Sequence, residues 1–352
     1  MTKRIVILGG GTGGTLCANR LHRHYRFHRA DDQAVEIVVV DQDNHHVYQP
    51  ALLFVPFGLA NQQEFIRPRV AQLHHDIEFI EDTIDRVDLH RDTVVLDSGR
   101  ELAYDALVVA TGATLAIDET PGLSGPGWNE NVFTFYDVAG ATALESALDS
   151  FEGGKLLVNV VDMPIKCPVA PLEFCFLADW FFTDRGIRDQ VELTFVTPLD
   201  GAFTKPIASR ELGTMFQDRG IQLEADFAVE HVDTENKELV SFDDRHVPYD
   251  LLVSIPLNYG PEYVARSGLG DEMNLVPCHQ HAMRSLEHPD IFVLGDGGTL
   301  QTSKAGSVAH FSVDVFMENW PYYLAGQDLP HSFDGHANCF IETGHGKGML
   351  LD

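Results

Sequence analysis

The turn Gly9-Gly10-Gly11-Thr12-Gly13-Gly14 constrains the fold of this chain more than any other stretch. It follows the apolar run 4–8 and opens a segment of helical pattern from Gly13 to about Arg29. Asp41, at the end of the second apolar run 35–41, answers it. Gly9, Gly11 and Gly14 match G-x-G-x-x-G, a spacing that allows a tight turn and close approach of backbone to a pyrophosphate at the helix N-terminus. Asp41 is then placed to accept hydrogen bonds from a ribose. The competing reading is a glycine-rich turn with no ligand. The flanking strand, helix and acidic residue together disfavour it.

The rest of the chain alternates apolar runs with helical segments, the pattern of an α/β fold. Residues 77–98 read as short antiparallel strands ending in the turn Asp97-Ser98-Gly99-Arg100, and 104–110 as another buried strand. A Gly/Pro-rich connector, Pro121 to Gly127, leads to a helix around 137–151. A second unit begins at Lys155: strand 155–161, helix near 170–183, strand 191–197, helix near 206–219 and strands around 226–255. Strand 291–294 precedes a glycine turn and a helix near 305–324. No internal repeat of 20–50 residues is visible.

Composition narrows the partners. Asp and Glu number 53 against 24 Lys and Arg, a formal charge of -29. A field of that sign repels phosphate backbones, so nucleic acid is not an expected partner. There is no basic amphipathic helix for anionic headgroups and no run of about 18 apolar residues to span a membrane. No secretory signal pattern precedes the first strand, so the expected location is cytoplasmic. Five cysteines, Cys17, Cys167, Cys175, Cys278 and Cys339, are odd in number and scattered, unlike a secreted disulfide framework or a C-x-x-C metal site. Cys278 with His279 and His281 is too short a cluster to establish a metal. The histidines His22, His24 and His28, His45 and His46, and His74 and His75 are expected at the surface or in packing, so no metal is expected.

Two further motifs close buried strands: Ala110-Thr111-Gly112, and Gly295-Asp296-Gly297 after Ile291-Phe292-Val293-Leu294. A carboxylate delivered at a strand end suits a ribityl hydroxyl. In this order the three motifs resemble the two-dinucleotide-domain flavoprotein superfamily. That resemblance implies that Gly9, Gly11, Gly14, Asp41, Thr111, Gly112, Gly295 and Asp296 hold FAD. It implies two Rossmann-like domains of the FAD/NAD(P) type, the FAD domain discontinuous and the second inserted. The expected boundaries are 1–115 and 289–324 for the FAD domain, 116–153 for a connector and helix, 154–288 for the second domain, and 325–352 for a C-terminal segment.

A member using NAD(P)H would carry a second glycine fingerprint after strand 155–161. Residues 161–174 instead contain three prolines, Cys167 and no glycine, and side chains there block close approach of a pyrophosphate. The next strand ends at Thr197-Pro198, without the carboxylate expected for an NADH ribose. The nicotinamide site therefore reads as abolished, which counts against a type II NADH dehydrogenase.

Lys166-Cys167-Pro168 with Ala170-Pro171 and Glu173 is similar to the sulfide:quinone oxidoreductase and flavocytochrome c sulfide dehydrogenase family. The likeness continues through Pro261-Glu262-Tyr263-Val264, Ser267-Gly268-Leu269, Thr302-Ser303-Lys304-Ala305 and Asn338 to Gly346. It implies that Cys167 and Cys339 form the sulfide-oxidising pair, that Lys304 lies near the flavin pyrimidine, and that Pro50 lines the isoalloxazine. The expected reaction is oxidation of sulfide to sulfane sulfur, the electrons passing through FAD to a quinone or another acceptor. Hydrosulfide attacks a disulfide sulfur, leaving a persulfide on one cysteine and freeing the other as a thiolate that serves the flavin. Glu173 is placed to move protons; an exposed helix carboxylate is the alternative. Without the family, Cys167 would read as an inert buried thiol. Cys17 and Cys175 read as core fillers.

The chain departs from the family in three places. Residues 113–166 hold no third cysteine. Val47-Tyr48-Gln49-Pro50-Ala51 holds none to attach FAD, so non-covalent FAD is expected. The sequence ends at Leu351-Asp352, before the amphipathic helices that bound the quinone pocket in the family. The expectation is either a soluble acceptor or, with a longer C-terminus, peripheral contact with the inner face of the cell membrane. Phe340 is a candidate to stack on a quinone, with a core aromatic as the alternative. A non-catalytic flavin redox sensor and a homo-oligomer remain open.

Overall fold

Strand Lys3–Leu8, a β-branched and leucine run buried from Ile5 onward, sits at the centre of a five-stranded parallel sheet. The computed structural model describes residues 3–27 and 35–351. The strand order is Ile291–Val293, Ala106–Val109, Lys3–Leu8, Val35–Asp41, Glu78–Glu81. Lys3 pairs with Val35, Ile5 with Ala106, Val38 with Glu78 and Ile291 with Leu107. Near-continuous apolar strands of this kind are those buried on both faces of a parallel sheet. The chain leaves the central strand toward Val35–Asp41 on one side, while Ala106–Val109 lies on the other. The carboxyl ends of Lys3–Leu8 and Ala106–Val109 therefore flank a topological switch point, where open α/β sheets take ligands.

Helix Thr12–Phe27 follows the glycine turn, buries Cys17, Ala18 and Leu21, and carries His24 and Arg26 in its last turn, where cations oppose the helix dipole. The expected end near Arg29, and His28 with it, lie outside the described residues. Helix Gly306–Leu324 packs beside it. The Trp320 indole N–H donates to the Tyr25 hydroxyl at 2.9 Å, and Arg20 pairs with Asp314.

One sequence expectation is corrected here. Glu78–Glu81 is not antiparallel but the parallel edge strand of this sheet. The antiparallel meander is Ile84–Asp88, Thr93–Leu96 and Glu101–Ala103, with Gly99 at φ +82 in its last turn. A four-residue edge strand carries too little alternation to reveal its direction.

A second unit holds another five-stranded parallel sheet, in the order Val132–Phe133, Leu251–Ile255, Gly154–Val160, Val191–Val196, Gln222–Glu224. Asp137 caps helix Val138–Ser150 by accepting the Gly140 amide at 2.7 Å. Helix Ala170–Asp184 starts with Pro171 in its first turn and buries Phe174, Phe176 and Phe182 completely. Each such ring contributes on the order of 2–3 kcal/mol of transfer free energy. Strands Cys339–Glu342 and Gly348–Leu351 form a hairpin, Cys339 opposite Leu351, packed on that helix.

Compact grouping of the backbone puts 1–47, 66–114 and 259–337 in the first unit and 48–65, 115–258 and 338–352 in the second. Two stretches fall outside their expected places. Residues 259–288 join the first unit because Tyr263, Val264, Leu269 and Val276 complete its core with Leu107, Val109 and Ile291. Residues 48–65 join the second, where the Phe57 ring packs at a tilt against Phe174 with centroids 5.0 Å apart.

Candidate active site

In the first unit the glycine turn is held open for a ligand. Gly9 adopts φ +93, its amide donates to Val40 O at 2.8 Å, and a Cβ there would lie 2.5 Å from Ala110 O. A Cβ on Gly14 would lie 1.9 Å from Gly9 O, whereas one on Gly11 would meet nothing within 4 Å. Gly9 and Gly14 are thus required by the protein's own packing. Gly11 faces open space, the condition for a pyrophosphate to approach the backbone.

Asp41 closes the second side of this cradle. Its Oδ2 accepts the Gly10 amide at 2.6 Å and lies 3.3 Å from the Arg69 guanidinium. Burial raises its pKa, against the lowering influence of Arg69 and of the Gly10 hydrogen bond. Arg69 also donates to Asp43 O at 3.0 Å. Sequence reasoning missed Arg69 because nothing local marks an arginine that reaches back to the end of an earlier strand.

At the other motifs, Gly112 adopts φ +68, and the Thr111 hydroxyl lies 3.0 Å from the buried Tyr263 hydroxyl. Gly295 adopts φ +77 at the start of the turn Gly295–Gly297. Lys304 is buried and donates to the carbonyls of Asp296 at 2.6 Å and Gly298 at 3.2 Å. Burial lowers its pKa, opposed by Asp296. Two of its three ammonium hydrogens thus fix the turn that carries Asp296. This donor and acceptor set, with the open glycine between strand and helix, fits FAD.

In the second unit the loop after Gly154–Val160 carries Cys167 at φ +44, a left-handed conformation unusual for a residue with a side chain. Three contacts hold it there. The Tyr136 hydroxyl donates to Cys167 O at 3.0 Å, the Ala170 amide donates to the same carbonyl at 3.0 Å, and Asn258 Oδ1 accepts the Lys166 amide at 2.8 Å. Tyr136 and Asn258 carried no sequence signal.

Glu173 is buried, 6% exposed, which overturns the exposed-carboxylate alternative. Its Oε1 accepts the Glu342 amide at 2.7 Å. Burial pushes its pKa up to about 7; the Glu342 amide works against that shift, and the Glu342 carboxylate adds to it. Its charge reaches both Cys339 and Tyr136. Burial first, then Glu173, raise the Cys339 thiol, while Lys205 lowers it. Burial, Cys167 and Glu173 raise the Tyr136 phenol well above its usual value. Glu173 therefore links the surroundings of both cysteines. All five cysteines lie among the described residues, and none is in a disulfide.

The remaining candidates divide. Pro50 is exposed in the short 3-10 turn Gln49–Leu53. Phe340 is 81% exposed, so the core-aromatic alternative is wrong. It stands opposite Leu350 on the outer face of the hairpin, while Ile341 is fully buried. Cys17 and Cys175 are buried. Cys278 is buried too, and among the described residues it does not gather with His279 and His281 into a ligand set. His22 and His74, expected at the surface or in packing, stack on each other. Among the described residues no helix is long and apolar enough to cross a membrane.

Residues 3–160 match the family of pyridine nucleotide-disulphide oxidoreductases. The mitochondrial sulfide:quinone oxidoreductase of Mus musculus is 23% identical over 99% of this chain and 77% of its own. That of Dictyostelium discoideum is 26% identical over 99% of this chain and 77% of its own. The crystal structure of the sulfide:quinone oxidoreductase from Aquifex aeolicus superposes with a TM-score of 0.83, covering 99% of this chain and 87% of that one at 19% identity. Fold and site define a flavoprotein oxidoreductase of the two-dinucleotide-domain class, with FAD as its cofactor. Within that class the chain is similar over nearly its whole length to sulfide:quinone oxidoreductases.

Proposed function

We propose that this chain oxidises sulfide to sulfane sulfur through Cys167 and Cys339 and passes the electrons by way of FAD to a quinone. The observation that carries the reading is Glu173: one buried carboxyl, with a pKa near 7, acts on Cys339 and on the tyrosine that holds Cys167. Full-length similarity to sulfide:quinone oxidoreductases supplies the substrate class.

In the oxidised enzyme the two cysteines are joined. Hydrosulfide attacks one sulfur, the S–S bond breaks, and one cysteine keeps a persulfide while the other leaves as a thiolate. Re-forming a sulfur bridge between persulfide and thiolate releases one proton and two electrons. Glu173 takes the proton, which a carboxyl with a pKa near ambient pH does well. Gly9, Gly11, Gly14, Asp41, Thr111, Gly112, Gly295, Asp296 and Lys304 would hold FAD non-covalently, and the bound flavin would supply the acceptor for that electron pair on its way to the quinone. By the family resemblance Pro50 would line the isoalloxazine, and the exposed Phe340 would meet the quinone.

The test is anaerobic titration of the oxidised holoenzyme while following flavin absorbance. Sulfide bleaches the flavin and a short-chain quinone restores it; Cys167→Ser and Cys339→Ser each abolish bleaching and keep FAD. A flavin reduced by NADH and untouched by sulfide would refute the proposal. Bleaching by sulfide with no quinone turnover would move the acceptor to a soluble carrier or leave a redox sensor.

A further inference from the structure

Away from the flavin cradle, the first unit gathers a set of side chains with no part in the chemistry above. His22, on helix Thr12–Phe27, meets His74 and Asp76 from the loop that precedes strand Glu78–Glu81. One ligand atom from each lies within 4.8 Å of the other two. Asp76 Oδ2 is the point of convergence, 3.3 Å from His22 Nε2 and 3.5 Å from His74 Nδ1. Ligand atoms about 2.1 Å from one tetrahedral ion stand roughly 3.4 Å apart, so both separations are those of a shared metal.

The ligands are also held in place. Asn19 Nδ2 donates to Gln72 O at 2.9 Å, and Asn19 Oδ1 accepts the His74 amide at 3.0 Å, fixing the loop to the helix. The two imidazoles stack with centroids 3.9 Å apart. His75 lies against the opposite carboxylate oxygen, Nε2 to Asp76 Oδ1 at 3.4 Å, and so orients Asp76 as an outer partner of a metal carboxylate does. His74 Nδ1 accepts the Asp76 amide at 3.3 Å and is therefore the unprotonated nitrogen of its ring, able to exchange that weak hydrogen bond for a metal. His22 and His74 are mostly covered, at 16% and 26% side-chain exposure, while Asp76 at 61% leaves an entry path. A chain of net charge -29 also concentrates divalent cations around it.

We propose that His22, His74 and Asp76 bind one divalent ion of the zinc class, with water completing a tetrahedron. Two imidazoles and one carboxylate suit zinc, whereas magnesium and calcium prefer oxygen donors alone. The ion ties the last turns of the helix to the loop leading into the edge strand and takes no part in flavin chemistry.

The test is calorimetric titration of the FAD-loaded protein with zinc chloride. Because thiolates are zinc ligands in general, it is repeated on the Cys167→Ser/Cys339→Ser double variant. One site with a dissociation constant in the micromolar range or tighter is expected in both. His22→Ala, His74→Ala and the surface change Asp76→Asn each weaken that site at least tenfold, with the flavin spectrum unchanged. Asp76→Asn guards against a histidine variant that misfolds, since it alters an exposed charge without changing size. Wild-type affinity in Asp76→Asn and either histidine variant, or loss of all tight binding in the double cysteine variant, would overturn the site. Neither result bears on the oxidation of sulfide.

Discussion

Glu173 on helix Ala170–Asp184 accepts the backbone amide of Glu342 at 2.7 Å, and so fastens the hairpin that begins at Cys339 to the helix that follows Cys167. The same carboxyl sits near the midpoint of its titration at neutral pH. A group that shapes the site and changes charge under working conditions can be interrogated through stability and through thiol chemistry.

The stability consequence has a definite sign. Burial raises Glu173 from 4.5 to about 7 in the fold. Between those values the native state binds more protons than the unfolded state, so this group's contribution is full below pH 4.5 and is lost as pH rises through 7. The shift corresponds to at most about 3 kcal/mol. Glu173→Gln keeps an acceptor for the Glu342 amide and carries no charge. Relative to wild type it is expected to gain roughly 1–3 kcal/mol between pH 5 and pH 8. Thermal melting of both proteins across that range checks this; parallel Tm curves would refute it.

Thiol reactivity probes the same carboxyl from the other side. The Glu173 charge raises Cys339 and Lys205 lowers it. Glu173→Gln lets the Cys339 pKa fall, though burial still holds it above the ordinary thiol value. Alkylation by iodoacetamide at pH 8 should then run several-fold faster at Cys339, because the thiolate is the reacting species. Lys205→Met should slow it. Peptide mapping of the labelled reduced protein reads out both rates, and equal rates in all three proteins would remove Glu173 from the cluster.

Two glycines in the same turn separate folding from cofactor binding. Gly14→Ala places a methyl group 1.9 Å from Gly9 O, so helix and strand must part and the fold loses several kcal/mol. Gly11→Ala meets nothing in the protein. It should leave the stability of the FAD-free protein within about 1 kcal/mol of wild type and weaken FAD binding at least tenfold. Apoprotein melting and flavin fluorescence on titration distinguish the two outcomes.

The features legible in the sequence are those written in consecutive residues. The glycine fingerprint, the Thr111-Gly112 and Gly295-Asp296 strand ends, and the parallel strands all come from local runs whose burial needs no knowledge of distant partners. What escaped reading depends on long-range closure. Arg69 meets Asp41 from a later turn, Tyr136 holds the Cys167 carbonyl from another element, and His22 finds His74 only once helix and loop are packed. Glu78–Glu81 was misread for the same reason, since its direction is set by Val35–Asp41 beside it. The resemblance puts Lys304 near the flavin pyrimidine, but its sequence context does not reveal the two carbonyls that it holds.

Lys304 makes the next prediction. Lys304→Met keeps the length of the side chain and leaves Asp296 O and Gly298 O without their ammonium donor. Losing hydrogen bonds to a buried charged group costs on the order of 1–3 kcal/mol. Part of that cost should appear as faster FAD release, because the turn carrying Asp296 is no longer fixed. Stopped-flow dilution of the holoenzyme gives the release rate, and an unchanged rate with an unchanged Tm would separate the lysine from the cradle.

Phe340 tests the acceptor end of the proposal. A ring 81% exposed on the outer face of a two-stranded hairpin contributes little to the fold, so Phe340→Ser should change stability by no more than about 0.5 kcal/mol. If the ring meets the quinone, the same variant raises the quinone KM several-fold in steady-state turnover. Reduction of the flavin by sulfide, followed in a single turnover without acceptor, keeps its wild-type rate. The opposite pattern, an unaltered quinone KM with slower flavin reduction, would place Phe340 on the sulfide side and leave the quinone surface to be sought elsewhere.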